Sequence, residues 1–253
     1  MPTLRFAPTL ALLAALCSNP AGTGADDSPG DGWVDLSSLS AWKGTARGWS
    51  VIGDAHLDAK DPKKLAPEPG TGAICNGPVG KVPNIATREV FGDVEVHLEF
   101  LLPKGSNSGI KFQEVYEVQL FDSFGVKEPK GTDLGGVYPH SEEKPKYHHI
   151  DGGHPPLANA AKPPGEWQTL DATFIAPKFD ASGKKVADAR ISATINGKKV
   201  QDDLKVDSPT GAAYKNKEKP TGALLLQGDH GPVAYRNLRA REIKPPAPAA
   251  PAP

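Results

Sequence analysis

Val94-Glu95-Val96-His97-Leu98-Glu99-Phe100 alternates without a break between apolar and polar side chains. Successive side chains of a strand point to opposite faces, so Val94, Val96, Leu98 and Phe100 share one face and Glu95, His97 and Glu99 the other, the pattern of a half-buried antiparallel strand. Similar short runs recur at Trp49 to Ile52, Asp93 to Leu101, Ile110 to Gln113, Tyr116 to Phe121, Gln168 to Ile175, Ala189 to Ile195, Gly222 to Gln227 and Val233 to Glu242, bounded by Gly, Pro, Asn or Asp. Asn196-Gly197, between Ile195 and Lys198, reads as a tight hairpin turn with positive φ at its centre. Helical periodicity is nearly absent. The pattern predicts an all-β fold of two packed antiparallel sheets, a β-sandwich or jelly roll.

The chain has 253 residues, is 38% hydrophobic and carries a formal net charge of -1, which fits one sizeable core. Lys and Arg are spread along it and matched by Asp and Glu, so no electrostatic footprint for nucleic acid is present. Arg5, the apolar stretch Leu10 to Leu16 and the small residues from Ala21 to Ala25 read as an export signal over residues 1–25, too short to span a bilayer. Cys17 offers a rival, lipid-anchored reading, against which Leu16 stands where a small residue is expected. A linker (26–32), a folded domain (33–243) and a Pro/Ala-rich tail (244–253) follow, for an exported protein of the periplasm, cell surface or medium. Removal of the signal leaves Cys75 as the sole cysteine, which excludes a disulfide framework and reads as a small buried hydrophobe. The stretch from Pro139 to Gly165, rich in His, Pro and Lys with no apolar period, predicts a long loop covering one mouth of the sandwich.

Parity sorts the polar residues. Ile110, Phe112, Tyr116, Val118 and Leu120 share the core-facing parity, whereas Asn107, Lys111, Gln113, Glu117 and Gln119 share the other. As a bare pattern the second set equally describes a solvated outer face. Asn107-Ser108-Gly109 reads either as a turn or as compact donors and acceptors for a sugar. In Leu224-Leu225-Leu226-Gln227-Gly228-Asp229-His230-Gly231-Pro232-Val233, two apolar strand signals flank a glycine-bounded turn bearing Gln227, Asp229 and His230, polar groups that a plain hairpin does not need. Most of the four tryptophans read as core, with Trp167, after Gly165-Glu166 at a strand entry, as the one placed to touch ligand. None of the seven histidines has helical zinc-site spacing; one divalent ion held by Glu117, His230 and Asp122 is the more attractive metal arrangement. No Gly-x-Ser-x-Gly elbow, phosphate loop or dinucleotide fingerprint occurs.

Asn107-Ser108-Gly109-Ile110, Tyr116-Glu117-Val118-Gln119-Leu120, Gly165-Glu166-Trp167-Gln168 and Gln227-Gly228-Asp229-His230-Gly231-Pro232 together resemble, in order, the 3-keto-disaccharide hydrolase family. Thr87-Arg88-Glu89-Val90-Phe91-Gly92-Asp93 and Gly135-Gly136-Val137-Tyr138 are similar to that family's early strand segment and Gly-x-x-Tyr turn, although a Gly-Ala or Gly-Ile pair is more usual than Gly135-Gly136. The resemblance spans Trp33 to Glu242. It implies a concanavalin A-like jelly roll whose concave side carries the Asn-Ser-Gly and Tyr-Glu-x-Gln segments, and cleavage of glycosides oxidised to a ketone at sugar carbon 3. The ketone acidifies the proton on carbon 2; its removal lets the enolate expel the aglycone from carbon 1, and water then adds. Under that chemistry Glu117 or His230 is the base and a metal, Lys111 or Arg88 holds the enolate. Asn107, Ser108, Gln119, Asp122, Tyr138, Trp167 and Gln227 complete the substrate site. Three other functions stay open on these residues: an ordinary glycosidase using Glu117 and Asp122, a lectin-like carbohydrate-binding module on the same fold, and an interaction domain spaced by the Pro/Ala tail.

Overall fold

Val94–Leu101 lies in the interior of the larger sheet, between Trp167–Ile175 and Ala234–Glu242. Its apolar set is at most 2% exposed, while Glu95, His97 and Glu99 are only half-buried. This computed structural model describes residues 32–43 and 47–244; the expected export signal with Cys17, nearly all of the linker and the tail beyond Lys244 lie outside the described residues.

Among the described residues the larger sheet runs Lys198–Val206, Ala189–Ile195, Trp167–Ile175, Val94–Leu101, Ala234–Glu242, Leu65–Cys75, Ser50–Leu57, with Val34–Asp35 also on Ala234–Glu242. The smaller sheet runs Ile85–Ala86, Leu225–Leu226, Asn107–Phe112, Tyr116–Phe121. Every pairing within both sheets is antiparallel. Asn196 and Gly197 take φ of 51° and 76°, the turn their dipeptide demands. The only helical element among the described residues is the short 3-10 turn Leu39–Ala41.

The core fills the space between the sheets. Phe100 and Leu98 of the larger sheet join Ile110, Phe112, Tyr116 and Val118 of the smaller in one buried cluster, and Phe112 stacks on Phe174 with ring centres 4.9 Å apart. A second, smaller cluster of Ile52, Ala55, Leu65, Ala73, Cys75, Leu101 and Ala234 has the opposite parity on the larger sheet. Cys75 is fully buried there, and burial pushes its thiol up to about 11. The architecture is the two-sheet antiparallel jelly roll that the alternation predicts.

The tryptophans divide between core and outer surface. Trp42 and Trp49 are buried and donate to the carbonyls of Leu36 (3.0 Å) and Pro83 (2.9 Å). Trp33 lies under the guanidinium groups of Arg239 and Arg241, and Trp167 under that of Arg236, 4.2 Å from the ring centre.

Candidate active site

Alternation along the smaller sheet sends Ile110, Phe112, Tyr116, Val118 and Leu120 into the core, at most 1% exposed, and turns Asn107, Lys111, Glu117 and Gln119 to the opposite face. Register sets Lys111 directly across from Glu117, and Lys111 Nζ lies 2.9 Å from Glu117 Oε2. On the other side of Glu117, Val137 bridges Val118 and the Tyr138 N–H donates to the Glu117 carbonyl at 3.2 Å. Lys111, Glu117 and Tyr138 therefore stand side by side across three neighbouring segments. The next row is built the same way: the Gln227 N–H donates to the Gly109 carbonyl and the Gln119 N–H to the Gly136 carbonyl, both at 2.9 Å.

Two glycines make this packing possible. Gly109 is not the turn residue of an Asn-Ser-Gly loop but part of the strand Asn107–Phe112, and the Glu117 carboxylate lies over it; a Cβ at 109 would sit 2.5 Å from Glu117 Oε1. Gly136 lets the Gly131 backbone pass beside it, since a Cβ there would meet the Gly131 carbonyl oxygen at 2.4 Å. This contact accounts for glycine, rather than a larger residue, at position 136.

The polar face is not a solvated exterior. Glu117 and Gln119 are each 2% exposed and Gln227 7%, because other parts of the chain close over them around a cavity of about 380 Å³. Asn107, Lys111, Glu117, Gln119, Tyr138, Gln227 and His230 all line it. Four atoms of its lining share a property: Asn107 Oδ1, Gln119 Oε1, Gln227 Oε1 and Ser141 Oγ are buried without a hydrogen-bond partner. The Gln119 amide is anchored by its Nε2, which donates to the Thr132 carbonyl at 3.2 Å, so its oxygen is left to the cavity. A buried acceptor with no donor costs about 1–3 kcal/mol, so their convergence on one cavity leaves acceptors there for hydroxyl donors of solvent or of a ligand.

The expected loop after Pro139 supplies part of the cover. Ser141–Glu142 pairs with His148–His149, and His140 bridges Gly211, with the Ser141 N–H donating to the Gly211 carbonyl at 3.2 Å. This places Ser141, Glu143, Tyr147, Gly211 and Ala212 on the cavity wall, residues that the sequence reading missed. Tyr147 had a signal, being the only Phe, Trp or Tyr between Pro139 and Gly165.

His230 sits at the rim with its side chain 51% exposed and Nδ1 2.6 Å from Asp229 Oδ1, which leaves Nε2 for chemistry. Its turn is organised by buried Asn76, whose Nδ2 donates to the carbonyls of Gly228 (3.1 Å) and Gly231 (2.8 Å) and whose Oδ1 accepts the Val233 N–H (2.7 Å). The glycines of the turn serve chain packing rather than close approach of a ligand: a Cβ on Gly231 would meet Ser106 Oγ at 2.5 Å, and one on Gly228 the Pro83 carbonyl oxygen at 2.9 Å.

Four candidates lie outside the cavity lining. Ser108 points into the core, its hydroxyl donating to the Gln227 carbonyl at 2.7 Å, so it positions a site strand from behind. Arg88 donates through Nε to the Ser40 carbonyl. Asp122 accepts the N–H of Gly105 and of Phe124 in a local turn, which removes the second carboxylate of the two-carboxylate arrangement and the third ligand of the expected metal set. Trp167 donates to Asp54 Oδ1 on the larger sheet. Among the described residues no three His, Cys, Asp or Glu side chains gather into a metal set, and the Lys111 ammonium holds the position beside Glu117 that a cation would take. Of the expected ligands, Glu117 and His230 both line the cavity, while Asp122 lies outside it.

The model of the 3-keto-alpha-glucoside-1,2-lyase-like domain matches residues 32–241 of this chain. The chain belongs to this family. Among solved structures, the chain is similar to a "putative glycosyl hydrolase" from Parabacteroides distasonis ATCC 8503, at 26% identity over 81% of this chain and 80% of that one, with a TM-score of 0.58. A second protein of the same description and organism matches at 18% identity, 83% and 99% coverage and a TM-score of 0.53, which bears on the fold alone. No curated protein matches. The family match supports a carbohydrate-active enzyme of the hydrolase/lyase type. No described helix is long and apolar enough to cross a membrane.

Proposed function

We propose that the cavity cleaves glycosides whose sugar carries a ketone at carbon 3. The observation that carries this is the Lys111–Glu117 pair, a buried carboxylate and a partly exposed ammonium 2.9 Å apart on the wall of a cavity lined by unpartnered amide oxygens. Elimination from such a substrate needs a base for the carbon 2 proton and a positive group for the oxyanion that forms at carbon 3. Glu117 is the base and Lys111 the cation, held side by side as those two atoms of the substrate are. Asn107, Gln119 and Gln227 accept hydrogen bonds from the sugar hydroxyls. His230, half-exposed at the rim, covers the open side.

Enolate formation then expels the aglycone from carbon 1, and water adds at carbon 1 of the enone as the proton returns to carbon 2. An ordinary glycosidase needs a second carboxylate across the scissile bond, and Asp122 is committed elsewhere. The amino-terminal stretch supports an exported enzyme acting outside the cytoplasm. Incubating the full chain with a 3-keto-glucoside and with its unoxidised parent tests the activity. Aglycone is expected from the ketone alone, and Glu117→Gln is expected to abolish its release. Calorimetric binding of the keto-sugar with no aglycone release would instead make the protein a carbohydrate-binding module.

A further inference from the structure

Three rings, Tyr138 beside Glu117 and Tyr147 and His149 of the covering segment, meet at the edge of the cavity. Tyr138 Oη lies 2.9 Å from Tyr147 Oη and 3.1 Å from His149 Nε2, and Tyr147 Oη lies 3.2 Å from the same nitrogen, closing a triangle of hydrogen bonds. His149 meets both tyrosine rings edge-on, at 5.3 and 5.5 Å between centres, which fixes the imidazole in place. Tyr138 and Tyr147 line the cavity, whereas His149 is exposed. The triangle thus runs from the cavity to solvent, and nothing in the elimination assigned above uses it.

We infer that Tyr138 is the acid that protonates the departing aglycone oxygen, with Tyr147 and His149 carrying its proton to and from solvent. The inference rests on the proposed cleavage of 3-keto-glycosides and completes it. Along the row Lys111, Glu117, Tyr138, the sheet orders a cation, a carboxylate and a phenol. The reaction needs them in that order, at the oxyanion on carbon 3, the proton on carbon 2 and the leaving oxygen on carbon 1.

The proton balance closes. Glu117 takes the proton from carbon 2 and the carbon 2 electron pair forms the new double bond. The carbon 1–oxygen bond breaks, its electron pair takes the Tyr138 phenolic proton, and the phenolate is reprotonated from His149 Nε2, directly or through Tyr147, as the exposed imidazole takes up a proton from solvent. In hydration the flow reverses: His149, acting through Tyr138, removes a proton from the water that bonds to carbon 1, and Glu117 returns its proton to carbon 2. The net change is addition of water across the glycosidic bond. Burial, the hydrogen bond with Tyr147 and the negative charge of Glu117 all push the Tyr138 phenol above its ordinary value. Tyr138 is thus held in its protonated form, as a donor to the departing oxygen must be.

The test varies the aglycone. An alkyl alcohol needs a proton to leave, and a nitrophenolate does not. For 3-keto-glucosides of both kinds, Tyr138→Phe, which keeps the ring, is expected to slow alkyl release by at least about 100-fold and nitrophenol release by less than about threefold. His149→Ala is expected to give the same selectivity at smaller size, with unchanged thermal midpoints. Equal loss on both aglycones, or none on either, would overturn the role of Tyr138 while leaving the cleavage itself standing. Absence of nitrophenol release by the unaltered protein would overturn the cleavage and the acid together.

Discussion

Glu117 is buried at 2%, yet it keeps a cation 2.9 Å away and a glycine beneath its carboxylate. Removing one partner of a buried ion pair is normally costly, but the Lys111 side chain is 21% exposed and reaches water, so Glu117→Gln is expected to fold while losing about 10²–10⁴-fold in turnover. Unchanged aglycone release would remove Glu117 from the mechanism. Gly109→Ala sets a methyl 2.5 Å from Oε1 and drives the carboxylate off its position; a misplacement of that order lowers rate by about 100-fold, whereas wild-type kinetics would show that the carboxylate position is immaterial. Cys75, buried with a raised thiol pKa, is expected to resist alkylation at pH 8 in the native protein and to react once it is unfolded; rapid native labelling would contradict its place in the core. At this scale parity made Lys111, Glu117 and Gln119 legible in the sequence. It also put Ser108 in phase with Ile110 and Phe112, and the structure follows that phase rather than the sugar-binding chemistry of a serine.

The segments that complete the site differ in how far the sequence announced them. Asn107–Phe112 and Tyr116–Phe121 alternate cleanly, and their register alone brings Lys111 to Glu117. The covering hairpin of Ser141–Glu142 and His148–His149 has two residues per strand, too few for any period, and its place is fixed by distant bonds such as His140 to Gly211. Contacts at that separation leave no local pattern to read. Asn76 belongs to the same class, holding a turn more than 150 residues away. Asn76→Ala leaves three backbone groups of that turn without their side-chain partner and is expected to cost about 1–3 kcal/mol. At about 2–4 °C per kcal/mol, this is a measurable drop in thermal midpoint. Amide exchange should rise locally at Gly228 to Val233 and KM should increase, because Gln227 precedes the turn and His230 lies within it. Uniform exchange across the domain would make Asn76 a general stabiliser without a part in the site.

On the scale of the whole chain, the larger sheet backs the smaller one and leaves the latter's outer face for chemistry. This division was legible from strand alternation and turn chemistry, which depend on neighbours in sequence. Arg88, Asp122 and Trp167 were not separable from the site on that basis, because each is a polar or aromatic residue near a strand end whose partner comes from elsewhere in the fold. The family match over residues 32–241 supports a carbohydrate-active enzyme, and the Lys111–Glu117 pair carries the proposal of proton removal beside a carbonyl. The most direct measurement is aglycone release from a 3-keto-glucoside carrying deuterium at carbon 2, run beside the protiated ketone and the unoxidised glucoside. Release from the ketone only, slowed by the deuterium, is the expected result; release from the unoxidised glucoside at a comparable rate would contradict abstraction at carbon 2 as the source of cleavage.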